Sequence, residues 1–196
     1  MQYTKVKNLI VNKLRKELDP RLTYHSVFHT LDVIDSVERL SLTEHVTDIE
    51  RILLKTAAVF HDSGFLSTYK GHEEISCQYA IQILPGYGYR MEDISKIQEM
   101  ILATQIPQSP KSLLGELLCD ADLDYLGRDD FEPIANRLFN ELISFNLLKD
   151  EQQWNKIQLG FIENHHYFTK TAIRSRERKK QRNLDKIRDI VACYNV

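Results

Sequence analysis

Ile52-Leu53-Leu54-Lys55-Thr56-Ala57-Ala58-Val59-Phe60-His61-Asp62-Ser63-Gly64 is the stretch on which the fold turns. From Ile52 to Phe60 it is apolar nearly all round, which predicts a central helix packed on several sides. It then ends on an imidazole beside a carboxylate, polar groups that need partners at the end of a buried element. N-terminal to it, Val6, Leu9, Ile10 and Leu14 fall at three- and four-residue spacing and predict an amphipathic helix over 3–18, closed by Asp19-Pro20. A second helix is expected from Thr23, as its N-cap, to Leu40. Phe28, Leu31, Ile34 and Val37 are its inward positions, and His25 and His29 lie one turn apart on it. C-terminal to the central stretch, Gly71-His72-Glu73-Glu74 opens a further helix, with two carboxylates at the positive end of its dipole. Pro85-Gly86 and Gly88 close it. Helical patterns follow at about 91–104, 112–126, 130–148 and 151–190, the last read as one long helix. Strand-like alternation is nearly absent, so the class is all-α.

A chain of 196 residues, 42% hydrophobic and 28% charged, is long enough for one buried core and far from the composition of disordered chains. One domain over 1–196 is expected, with a core at about 24–127 and the long helices at about 130–190 packed on it. A net charge of -2 gives no global attraction to nucleic acid or anionic lipid. The basic run Arg174–Arg188, with Arg176, Arg178, Lys179, Lys180 and Arg182, reads as a solvated helix face, and a nucleic-acid partner is not expected. Cys77, Cys119 and Cys193 are odd in number and form no C-x-x-C pair, so reduced structural thiols are expected. No run approaches a membrane span and no leader is recognisable, so a cytoplasmic location without membrane partner is expected, and a homodimer is compatible.

The chemistry sits in residues far apart in sequence. His25 and His29 precede the central helix, His61-Asp62 end it, and Asp122 lies in Cys119-Asp120-Ala121-Asp122-Leu123-Asp124, where carboxylates interrupt an apolar run. Imidazoles and carboxylates are the donors of a divalent ion that activates water while keeping a position open. Each piece alone is weak. The D-x-D-x-D run lacks the Gly and distal Glu of a calcium loop.

Taken in order, a His, a His-Asp pair and a distant Asp resemble the signature of the HD superfamily of metal-dependent phosphohydrolases, over about residues 24–127. Tyr24-His25-Ser26-Val27-Phe28-His29-Thr30-Leu31-Asp32-Val33 is also similar to the corresponding stretch of cyclic-nucleotide phosphodiesterases in that superfamily. The resemblance implies an HD-type helical bundle and a divalent metal held by His29, His61, Asp62 and Asp122, with Asp120 the second choice for the distal carboxylate. Manganese, magnesium, iron and zinc are not distinguished by this ligand set. It further implies His25 as proton donor to the leaving oxygen, and a small phosphorylated substrate, with a nucleotide expected, in either monoester or diester form.

Around this set, Lys70 is the best placed cation for a phosphate and joins His25 and Asp62 as a candidate catalytic group; Lys55 and Arg128 are alternatives. Asp32 is a candidate to orient a neighbouring ligand. In two-metal members of the superfamily a further His follows the pair, and His72 with Glu73 matches that place, for a second ion or for substrate. A histidine expected near Ile101–Gln105 for a firm two-metal site is missing. In the aromatic stretch from Trp154 to Phe168, His166, and after it Arg174, are weaker substrate-binding candidates. The chain is short for a complete cyclic-nucleotide phosphodiesterase domain, which favours a stand-alone hydrolase of small phosphate esters. A non-catalytic nucleotide- or metal-binding regulatory module and a di-iron oxygenase of the same fold are the competing readings.

Overall fold

In the computed structural model, which describes residues 1–195, the chain is helical and divides into two compact units. The first comprises Met1–Asp19 and His25–Asp122; the second comprises Pro20–Tyr24 and the chain from Leu123 onward.

The first unit holds α1 (Tyr3–Glu17), α2 (Val27–Ser41), α3 (Asp48–Phe60), α4 (His72–Ile83), α5 (Met91–Ala103) and α6 (Leu113–Asp122). Helix α3 is the hub: α1, α2, α4, α5 and α6 all pack on it. Leu53, Leu54 and Ala57 to Phe60 are essentially inaccessible, as an all-round apolar helix requires. Its start is fixed by a capping box, in which Thr47 Oγ1 accepts from the Glu50 amide at 3.2 Å and Glu50 Oε2 accepts from the Thr47 amide at 2.8 Å.

Helix α2 differs from the sequence expectation. It begins at Val27, with Ser26 as N-cap, and the Thr23 hydroxyl instead donates to the carbonyl of Arg137 in the second unit that both belong to. Phe28 is 70% exposed, and the inward stripe runs through Val27, Thr30, Val33, Ile34, Val37 and Leu40. A start three residues later removes His25 from the helix and leaves it in the preceding turn.

The second unit holds α7 (Phe131–Ser144), α8 (Glu151–Asn164) and α9 (Lys170–Ala192) around an aromatic core of Tyr24, Tyr125, Phe131 and Trp154 with Leu126, Ile162, Leu184 and Ile187. The single helix expected over 151–190 is two. His165 turns to extended backbone, Tyr167 is buried with its hydroxyl on the carbonyl of Leu123, and Thr169 Oγ1 caps α9 by accepting from the Ala172 amide. Gly127 lets α9 approach to backbone contact, since a Cβ there would sit 2.5 Å from the carbonyl oxygen of Arg176.

The basic run of α9 is not simply a solvated face. Arg176 grips the buried Asp124 through two bonds of 2.8 and 3.1 Å, and Lys180, 4% exposed, donates to the carbonyl of His165. Lys179 pairs with Asp129. Among the described residues no helix is long and apolar enough to cross a membrane.

Candidate metal centre

Three segments of the first unit deliver the polar residues to one place. His29 comes from the first turn of α2, His61 and Asp62 from the end of α3, and Asp122 from the last residue of α6. His29 Nε2 lies 3.0 Å from Asp122 Oδ1 and 3.3 Å from His61 Nε2, and His61 Nε2 lies 3.5 Å from Asp122 Oδ1. Asp62 Oδ2 is 3.3 Å from His29 Nε2 and 3.2 Å from His61 Nε2.

The turn carrying His61-Asp62 is clamped by α4. Ser76 Oγ donates to the carbonyl of His61 and accepts from the Gly64 amide, both at 2.8 Å, in a fully buried position. Gly64 is obligatory there, because a Cβ would come within 1.9 Å of the carbonyl oxygen of His72. Inside the turn, His61 Nδ1 lies 2.8 Å from the carbonyl of Ala58. An imidazole that donates from Nδ1 presents Nε2 as a lone pair, so the backbone of α3 sets the tautomer and aims the ligand atom.

These donors fit a cation. A point equidistant from His29 Nε2, His61 Nε2 and Asp122 Oδ1 lies roughly 1.9 Å from each, so an ion held at ~2.0–2.2 Å sits just off their plane. Asp62 Oδ2 is buried, and among the described residues it has no hydrogen-bond partner despite two imidazole nitrogens within 3.3 Å. A buried carboxylate oxygen left unbonded beside two imidazoles is suited to a cation. Asp122, rather than Asp120, is the α6 carboxylate in this cluster; Asp120 is fully buried and is not among its donors.

The electrostatics are those of a tightly paired set. Burial would push the His61 imidazole down, but Asp62 and Asp122 outweigh it and hold its pKa well above the ordinary value. For Asp122 burial acts upward and is outweighed by His29 and His61, which pull its pKa down to about 2. Asp62 is likewise held well below the usual carboxylate range by His61 and His72.

His72, the first residue of α4, places Nε2 3.3 Å from Asp62 Oδ1 and Nδ1 3.5 Å from Glu73 Oε2. Asp62 thus faces His29 and His61 with one oxygen and His72 with the other. Although off the helix, His25 reaches the cluster, its ring centroid 6.1 Å from both His29 and His72. Phe65, which the sequence reading passed over, stacks on both outer histidines, at 4.2 Å from His25 and 3.9 Å from His72. Its only sequence signal is an aromatic three residues after Asp62.

The remaining candidates are placed differently. Lys70 is exposed in the turn before α4. Lys55 is committed to an ion pair with Glu38 and lies over the Tyr3 ring. Asp32 is half-buried and engaged. In the second unit, Arg128 is bound to Asp130 and Asp124, His166 is exposed, and Arg174 is exposed with Nε donating to the carbonyl of Lys170.

No family profile matches the chain, and no curated protein sequence does. Solved structures do match. A predicted HD superfamily hydrolase from an uncultured Thermotogales bacterium aligns with a TM-score of 0.64 at 20% identity, covering 97% of this chain and 92% of its own. Bacillus subtilis YpgQ in complex with ADP aligns with a TM-score of 0.65 at 21% identity, covering 97% and 95%. The chain has the HD-type all-α fold.

Proposed function

We propose that this chain, carrying the HD-type fold, is a metal-dependent phosphohydrolase of that superfamily acting on a small phosphate ester, with a nucleotide as the favoured substrate class. The observation that carries the reading is the convergence of His29, His61 and Asp122 within 3.5 Å of one another, with an Asp62 oxygen against both imidazoles. The ADP bound to YpgQ supports a nucleotide.

His29, His61, Asp62 and Asp122 would hold the ion. When bound, it would act as a Lewis acid on a phosphoryl oxygen and lower the pKa of water toward ~7. The chain's own groups supply the rest. His61 is kept in its ligating tautomer by Ala58, and Asp62 divides its oxygens between the His29–His61 pair and His72. His25, held by its stack on Phe65, stands beside the ligands and delivers a ring proton to the departing oxygen. His72 and Glu73 contact the substrate or a second ion, and Lys70 attracts the phosphate from its exposed turn. Arg128, His166 and Arg174 remain weaker substrate contacts. This ligand set with His25 beside it favours turnover over a purely binding module.

A panel of phosphomonoesters and phosphodiesters, nucleotides included, tests the reading after reconstitution with manganese, magnesium, iron or zinc. His61→Ala is expected to lose metal and activity together. His25→Ala is expected to keep the metal and lose about 10²–10⁴-fold in rate. Absence of turnover with every ion and ester would contradict the proposal, as would equal metal retention in both variants. Two irons per chain by elemental analysis, with substrate oxidation, would favour the oxygenase instead.

A further inference from the structure

The second unit contains a cavity of about 480 Å³ between α7, α8 and α9, within the size range of small-molecule sites. Trp154 and Phe139, with ring centroids 6.2 Å apart and planes inclined by 34°, form part of its wall. Gln158 lines it and is 8% exposed, yet among the described residues its side-chain amide has no hydrogen-bond partner. Neither amide atom is sealed from solvent, so both remain available to a ligand. Asn183 adds a second polar group. Its Nδ2 donates to the carbonyls of Leu126 and Arg128, so Oδ1 is the atom left to accept. At the rim, Asp129 is tied to Lys179, and two carboxylates, Glu132 and Glu151, stand against one ammonium, Lys186.

We propose that this cavity binds a small, uncharged, planar heterocycle with an amide-like edge. The rings supply an apolar aromatic wall for it to pack against. Gln158 supplies a donor and an acceptor side by side, the complement of a lactam or carboxamide edge. The acidic rim disfavours a phosphorylated ligand, so this site is chemically unlike the histidine–aspartate cluster and stands independently of the phosphohydrolase reading.

Trp154 is the chain's single tryptophan and reports directly on the cavity. Uridine and inosine, with their 5′-monophosphates as charged counterparts, would be titrated against chelator-treated protein while the indole fluorescence is recorded. A saturable change with at least one nucleoside is expected, about tenfold weaker in Gln158→Leu, which keeps the volume and removes the amide. The monophosphates are expected to bind more weakly, with the gap narrowed by Glu132→Gln with Glu151→Gln. No saturable change with either nucleoside would overturn the proposal. Unaltered affinity in Gln158→Leu, or monophosphates binding as tightly as nucleosides, would also overturn it.

Discussion

Replacing Ser76 by alanine removes one oxygen and two hydrogen bonds. Ser76 Oγ is fully buried, donates to the carbonyl of His61 and accepts from the amide of Gly64. Alanine leaves both backbone groups orphaned where water does not reach. Each buried unsatisfied group costs about 1–3 kcal/mol, so the substitution is expected to cost about 2–6 kcal/mol, a large part of an ordinary domain's stability. Since those groups flank Asp62, the same loss loosens the segment that aims two metal donors. Urea unfolding followed by circular dichroism should show a lowered midpoint at unchanged slope. Exchange of the Gly64 amide hydrogen should accelerate beyond that of its neighbours, and metal affinity should fall. A destabilisation below about 1 kcal/mol with Gly64 exchange unchanged would refute the idea that α4 clamps this turn.

Asp124→Ala strands Arg176 and Arg128 around a position only 1% exposed, and the loss of a buried pair is expected to destabilise the second unit by about 3–5 kcal/mol in thermal or urea unfolding. Native protein should show one thiol reactive toward a disulfide reagent, the exposed Cys193, and denatured protein three. Burial pushes the Cys77 thiol up to about 12 and raises Cys119 further, leaving both without thiolate at neutral pH. Chelator-treated protein should be most stable in mildly acid solution. The Asp122 contribution is present above its ordinary 3.8 and is lost as pH falls through about 2, whereas that of His61 is full below 6.5 and is lost as pH rises through its elevated pKa. Added metal should move the optimum to higher pH, because it must displace protons from its ligands, and unfolding midpoints across pH with and without metal read this out.

The candidate metal donors were legible because they break local rules. A His-Asp pair after Ala57-Ala58-Val59-Phe60, and a carboxylate among Leu117, Leu118 and Ala121, are polar where the pattern demands apolar residues. The frame of α2 was misread because part of its buried face is polar. Thr30, Ser36 and Ser41 are buried, so an apolar count preferred Phe28, which is 70% exposed. The break between α8 and α9 carries no glycine or proline and is set by Thr169 as a cap and by the burial of Tyr167. Ser76 and Phe65 were invisible as site residues because their roles arise only when α4 folds back against the end of α3. The acids that neutralise the α9 basic run lie about fifty residues upstream, beyond any local charge pattern.

X-ray absorption on the protein reconstituted with one manganese or zinc ion per chain examines the cluster itself. A nitrogen and oxygen shell at ~2.0–2.2 Å with the outer-shell signature of two imidazoles and no sulfur is expected, and His29→Ala, His61→Ala and Asp122→Ala should each erase or reorganise it. A spectrum left unchanged by all three substitutions would mean that the ion binds elsewhere, and the account would fail.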